Sequence, residues 1–184
     1  MLELARLLAL LAFVALFLAL VVLLRRAGQV LAETRDREVF RRSVADLVDR
    51  VGTSLDGVGS RIDDVRRRTV AAETINDNLA AAADAVERYA EEARALRAAG
   101  PATEIRAAIV GDLERAARAL QMVEHGCEIL ASAHVGGREL EAQTSIKRGY
   151  LNILHAREAI ERHGIRAQEW AAAETPRLFH RRNA

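Results

Sequence analysis

Two stretches carry nearly all the side chains that could do chemistry in a sequence otherwise rich in alanine, arginine, glutamate and leucine. "QMVEHGCEILASAH", residues 121–134, holds His125, Cys127 and His134, and "EAQTSIKRGYLNILHARE", residues 141–158, holds Gln143, Lys147, Tyr150, Asn152 and His155. A thiolate and imidazoles can ligate a metal, a lysine can hold an anion, and the amides and phenol can orient a ligand by hydrogen bonds. Structural metal sites want four ligands, however, and the sequence has neither paired cysteines nor the Glu-x-x-His spacing of di-iron bundles. No metal or other cofactor is therefore expected. Cys127 lies on an apolar stripe and reads as a small buried hydrophobe, and Tyr150 as a core ring with its hydroxyl at the edge.

Catalysis has no better foothold. There is no nucleophile elbow, no phosphate-cradling glycine loop and no carboxylate pair set apart from ordinary surface acids, so no catalytic residue is assigned and a non-enzymatic role is expected. The eight residues named above are a candidate interaction or ligand patch. Their neighbourhood follows from "HVGGR", residues 134–138, whose paired glycines break the helix and fold the second stretch back on the first. Positions equidistant from Gly136 become neighbours, which puts 127 near 145 or 146, and 121 near 151.

The elements that must position this patch are helices. Of the 184 residues 51% are hydrophobic, only 4% are aromatic and two are proline, which is the composition of a mostly helical chain. From Thr103 an apolar face runs through Ile105, Ile109, Leu113, Ala117, Leu120, Val123, Cys127 and Leu130. A last helix is marked by Ile146, Tyr150, Ile153, Ile160, Ala167 and Trp170 and closed by Pro176. Earlier in the chain, Val44, Val48, Val51, Leu55, Val58, Ile62 and Val65 alternate in steps of four and three, a coiled-coil seam. Branched residues at its d positions favour packing within an intramolecular bundle. Gly52 and Gly59 fall beside the seam, seven residues apart, and are expected to let a neighbouring backbone come close. A second seam, Ile75 to Leu96, follows a slip of phase around 69–75, either a stammer in one long helix or a turn, and stops at Gly100-Pro101.

The first 26 residues are different. Leu7 to Leu24 are eighteen consecutive apolar residues, about 27 Å of helix against a hydrocarbon core of about 30 Å. A membrane-inserted N-terminus is expected. Arg25, Arg26, Arg35, Arg37, Arg41 and Arg42 follow the run, and positive flanks stay in the cytoplasm. Ala5, Ala9, Ala12, Ala15 and Ala19 project within about 120° and would form a packing face for a partner span. Removing Arg6, Arg25, Arg26 and Glu3 from totals of 27 basic and 26 acidic residues leaves 24 against 25, so the remainder is near neutral. A basic nucleic-acid face is not expected. The lone cysteine fits a reducing compartment.

The sequence thus predicts an all-α protein: a single N-terminal transmembrane helix followed by an antiparallel helical bundle of three or four long helices with coiled-coil-like segments. The expected divisions are an anchor with its basic flank (1–26), a cytoplasmic bundle (27–174, with helices at 27–68, 69–99, 102–134 and 139–173) and a basic tail (175–184). It would sit in the bacterial inner membrane with its N-terminus outside, meet the membrane through residues 7–24, and act as a scaffold or accessory subunit by binding a protein partner or a second copy. A membrane-tethered ligand or metal sensor using Cys127 and the histidines is the first rival. An exported envelope protein, cleaved after "VLA" at 30–32, is the second.

Overall fold

The computed structural model describes residues 2–132 and 137–173, with the side chains of residues 2–12, 14, 15, 27 and 29–31 left outside the description. Among the described residues the protein is all helical and has no strand. Its elements are α1 (Leu2–Arg66), a 3₁₀ turn (Ala72–Ile75), α2 (Asn76–Ala95), α3 (Pro101–Ala131) and α4 (Glu139–Ala173). By its contacts the chain divides into two units, Met1–Val39 and Phe40–Ala184, and α1 contributes to both.

In the first unit, Phe13, Leu16, Phe17, Leu18, Leu20, Val22, Leu23 and Leu24 are all exposed. Among the described residues no helix is long and apolar enough to cross a membrane. Eight of the eighteen positions in the apolar run 7–24, residues 7–12, 14 and 15, have side chains outside the description, as do Ala5, Ala9, Ala12 and Ala15 of the expected packing face. Ala19 is described and exposed.

The second unit is an antiparallel four-helix bundle. The part of α1 from Phe40 meets α2 through an Arg50–Glu92 ion pair of 2.5 Å and a 3.0 Å hydrogen bond between Ser54 and Tyr89, pairs that run in opposite directions along the two helices. α2 meets α3 through Arg94 and Glu114, 2.6 Å apart. α4 closes the ring on α1 through Arg157 and Asp56 at 2.5 Å, and through the edge-to-face rings of Phe40 and Trp170, with centroids 6.0 Å apart. These exposed pairs fix neighbours more than they stabilise them. The apolar stripes supply the stability: Val44, Val51, Leu55, Ile62, Leu79, Val86, Ile109, Leu113, Leu120, Ile153 and Ile160 are almost wholly excluded from solvent. Within the first seam Leu47 takes a fully buried place, whereas Val48 moves to the flank and is only half-buried.

The slip of phase at 69–75 is a turn between two helices. Thr69 N–H bonds to the Asp64 carbonyl and Arg68 N–H to the Val65 carbonyl, each at 3.0 Å, which is the Schellman arrangement for ending a helix. Its left-handed position, usually glycine, is Arg68 at φ 59°. The chain then turns through residues 67–71, and the 3₁₀ turn Ala72–Ile75 leads directly into α2. α2 stops at Ala95, short of Ala99. Gly100, at φ 56° and ψ −133°, leads into Pro101 at the first turn of α3, a conformation glycine tolerates and an L side chain rarely adopts.

One expectation is corrected here. A Cβ added at Gly52 or Gly59 would meet nothing within 4 Å, so among the described residues no neighbouring backbone uses the glycine strip of α1. The close approach occurs at other glycines. A Cβ on Gly126 of α3 would stand 2.6 Å from Ile146 Cγ1 and 2.9 Å from the Ala142 carbonyl. One on Gly149 of α4 would stand 2.6 Å from Val123 Cγ2 and 2.7 Å from the Ala119 carbonyl. The two glycines answer each other across the α3–α4 interface, each seating the other helix's backbone where a side chain would stand. Gly164 makes room for a side chain instead, since a Cβ there would stand 3.2 Å from Val48 Cγ2.

Candidate functional site

The α3–α4 hairpin brings the two chemically distinctive stretches side by side. Gly126 lies on Ala142 and Ile146, and Ser145 Oγ donates to the Met122 carbonyl at 2.7 Å. Asn152 Nδ2 approaches Met122 Sδ at 3.9 Å, a weak hydrogen bond that spans the same interface. The eight candidate residues nevertheless do not converge on one point. Cys127 is completely buried, and burial, with Glu124 and Glu73 nearby, pushes its thiol up to about 11. A thiol so placed stays protonated at neutral pH and is a poor nucleophile or ligand. His125 stands on the exposed face, 3.8 Å from Glu128. His155 is exposed, Asn152 half-buried, and His134 lies outside the described residues. Among the described residues no group of three His, Cys, Asp or Glu side chains is arranged to hold a metal ion.

Three of the candidates do share a place. Gln143 and Lys147, on the first turns of α4, line a hollow of about 240 Å³ whose other walls are Val65, Arg66 and Arg68 from the end of α1, Leu130 from the end of α3, and Glu139 and Ile146 from α4. Tyr150, one turn further along, is half-buried beneath the Arg66 guanidinium, which lies 4.6 Å from the ring centroid. That geometry is a cation–π contact and orients Arg66. Glu139 receives a hydrogen bond from Arg68 at 2.6 Å and another from Gln143 at 2.8 Å. Lys147, the single lysine among 27 basic residues, has no ion-pair or hydrogen-bond partner among the described residues. The hollow forms because α1, α3 and α4 all end or begin here, so their last side chains splay.

Sequence reasoning missed a second polar feature. Asp112 of α3 is buried, the one charged residue so placed among those described, and its carboxylate bonds both Arg115 on the same helix and His163 Nε2 of α4, the latter at 3.1 Å. His163 Nδ1 is buried without a hydrogen-bond partner among the described residues. A carboxylate in this position needs its partners, because removing one leaves an uncompensated buried polar group. The pair fixes α3 against α4 at one register. The signal was available: Asp112 follows Ile109 by three, and His163 follows Ile160 by three, so both interrupt apolar stripes at core positions. A larger, shallow cleft of about 720 Å³ lies between α2 and α3, with Val86, Ala90, Leu113 and Ala117 at its base. Its rim carries charges of both signs, several already paired, as Arg94 is to Glu91 and Glu114.

The chain matches no family model, no curated protein and no solved structure.

Proposed function

We propose that the protein is a single-pass, membrane-anchored helical scaffold or accessory subunit that presents its bundle to a protein partner on the cytoplasmic side of the inner membrane. The observation that carries this reading is the combination of the eighteen-residue apolar run with the exposure of Phe13, Leu16, Phe17, Leu18, Leu20, Val22, Leu23 and Leu24 within it. A helix that is apolar all round needs an apolar medium or an enveloping partner. Six arginines after the run against Arg6 alone among the side chains before it favour a cytoplasmic bundle. The bundle's outer face adds support: Leu140, Leu151 and Ile165 of α4 are exposed and project within about 40° of one another.

The test is crosslinking in membranes followed by mild-detergent recovery of the full-length chain. The proposal expects the same protein partner or a second copy in repeated preparations, and its loss when Ala9 and Ala12 are replaced by Phe to block close helix approach. Recovery of monomer alone, unchanged by those substitutions, would remove the support for a scaffold.

The sensor reading through Cys127 and the histidines has little to recommend it, since the thiol is enclosed and His125 faces solvent away from it.

A further inference from the structure

The hollow at the end of α1 is poorly explained as packing. Packing alone would put glycine at position 68, where the backbone is left-handed; arginine there is strained, and it is the one non-glycine residue with positive φ among those described. Strain of this kind persists where the side chain is needed in that place. The Arg68 guanidinium gives one Nη to Glu139, and the Arg66 guanidinium one Nη to Asp63, at 2.6 Å in each case, leaving their other donors without a hydrogen-bond partner among the described residues. Tyr150 holds Arg66 in place from beneath, and Lys147 has no partner among the described residues. Three cations, Arg66, Arg68 and Lys147, stand against two carboxylates, Asp63 and Glu139, around a base of Val65, Leu130 and Ile146. Among the described residues the hollow therefore keeps one positive charge in excess, on Lys147, over an apolar base.

We propose that this hollow binds a phosphate monoester carrying a small apolar group. The free donors of the two arginine forks match phosphate oxygens, and Lys147 supplies a mobile point charge for the anion. The apolar portion of the ligand rests on Val65, Leu130 and Ile146, in a cavity suited to a ring or short chain. Glu139 acts as the competitor that occupies Arg68 when the site is free. This assignment does not depend on the membrane reading.

The chemistry could be supplied by a soluble phosphate ester or by a phosphatidic acid headgroup, and the experiment separates them. Full-length protein in a non-ionic detergent is titrated by calorimetry with phenyl phosphate and, separately, with a soluble short-chain phosphatidic acid. The tighter of the two identifies the source, and binding of either is expected with Kd below about 1 mM. Lys147→Ala and Arg68→Gly should each weaken it by about tenfold, while Glu139→Gln should strengthen it severalfold. Arg68→Gly is the decisive variant because glycine suits the left-handed position, so the fold is retained and loss of binding cannot be ascribed to unfolding. Absence of binding of both probes at about 1 mM, or equal binding by wild type, Lys147→Ala and Arg68→Gly, overturns the proposal.

Discussion

The glycines of α3 and α4 and the glycines of α1 look alike in the sequence and do opposite things. Gly126 and Gly149 sit mid-helix against another helix's backbone, with carbonyls at 2.9 and 2.7 Å from where a Cβ would be. A Cβ on Gly52, Gly57 or Gly59 of α1 would meet nothing within 4 Å. A glycine in a helix interior costs about 1 kcal/mol relative to alanine in either place. In the α3–α4 hairpin that cost is offset by closer packing of backbone and small side chains, whereas in α1 nothing offsets it. Heptad position alone cannot tell these cases apart, since what decides is the distance to the facing helix.

The comparison can be broken most forcefully at the hairpin. Gly126→Ala and Gly149→Ala should each lower stability by about 2–4 kcal/mol, because the clash is with backbone and cannot be relieved by one side chain turning. Chemical denaturation of the detergent-solubilised chain measures this, and a loss below about 0.5 kcal/mol for both would show that the helices are not held by close approach. Next in size is the polar clamp of the same interface. Asp112→Ala should cost about 2–3 kcal/mol, leaving the half-buried His163 without its only described hydrogen-bond acceptor. If Asp112→Ala is neutral by the same measurement, the clamp is dispensable.

The α1 glycines should behave in the opposite sense. Gly52→Ala and Gly59→Ala are each expected to stabilise the protein by about 0.5–1 kcal/mol, since alanine gains helix propensity and its methyl meets nothing. Thermal unfolding would reveal the change, and a clear loss of stability would mean that a partner or a second copy occupies the strip. The smallest effect is pH-dependent. Cys127, raised from 9.0 to about 11, keeps its proton in the folded chain over a range where the unfolded chain loses it. Its contribution to stability is full below pH 9 and is lost as pH rises from 9 through about 11. Replacing Cys127 by Ala should flatten the stability profile in that window, and an unchanged slope would show that the thiol is not enclosed.

Much of the fold was legible because apolar spacing reports which face is buried. Val44, Val51, Leu55, Val58, Ile62, Ile75, Leu79, Val86, Ile105, Ile109, Leu113, Leu120, Val123, Ile146, Ile153 and Ile160 all lie in the core as their spacing suggested. Gly100-Pro101 and Gly137 flank helix ends, because these residues act through their own backbone. The turn at Arg68 was not legible, since it puts arginine where the local rule asks for glycine. Asp112 and His163 were passed over because a search for motifs looks along the chain, and this pair meets across 51 positions only after the hairpin has formed. The same holds for the hollow beside Lys147. Its sequence signal was a single lysine among arginines, and Arg66 and Arg68 join it only through the bundle's closure.

The account of what the protein does rests on where the apolar run lies and which side of the membrane receives the bundle. Paired fusions of alkaline phosphatase and a fluorescent protein to the C-terminus, assayed in cells whose membranes are then washed with carbonate, test both at once. The account predicts a carbonate-resistant fusion that fluoresces and has no phosphatase activity. A phosphatase-active fusion, or one that carbonate releases, would contradict it.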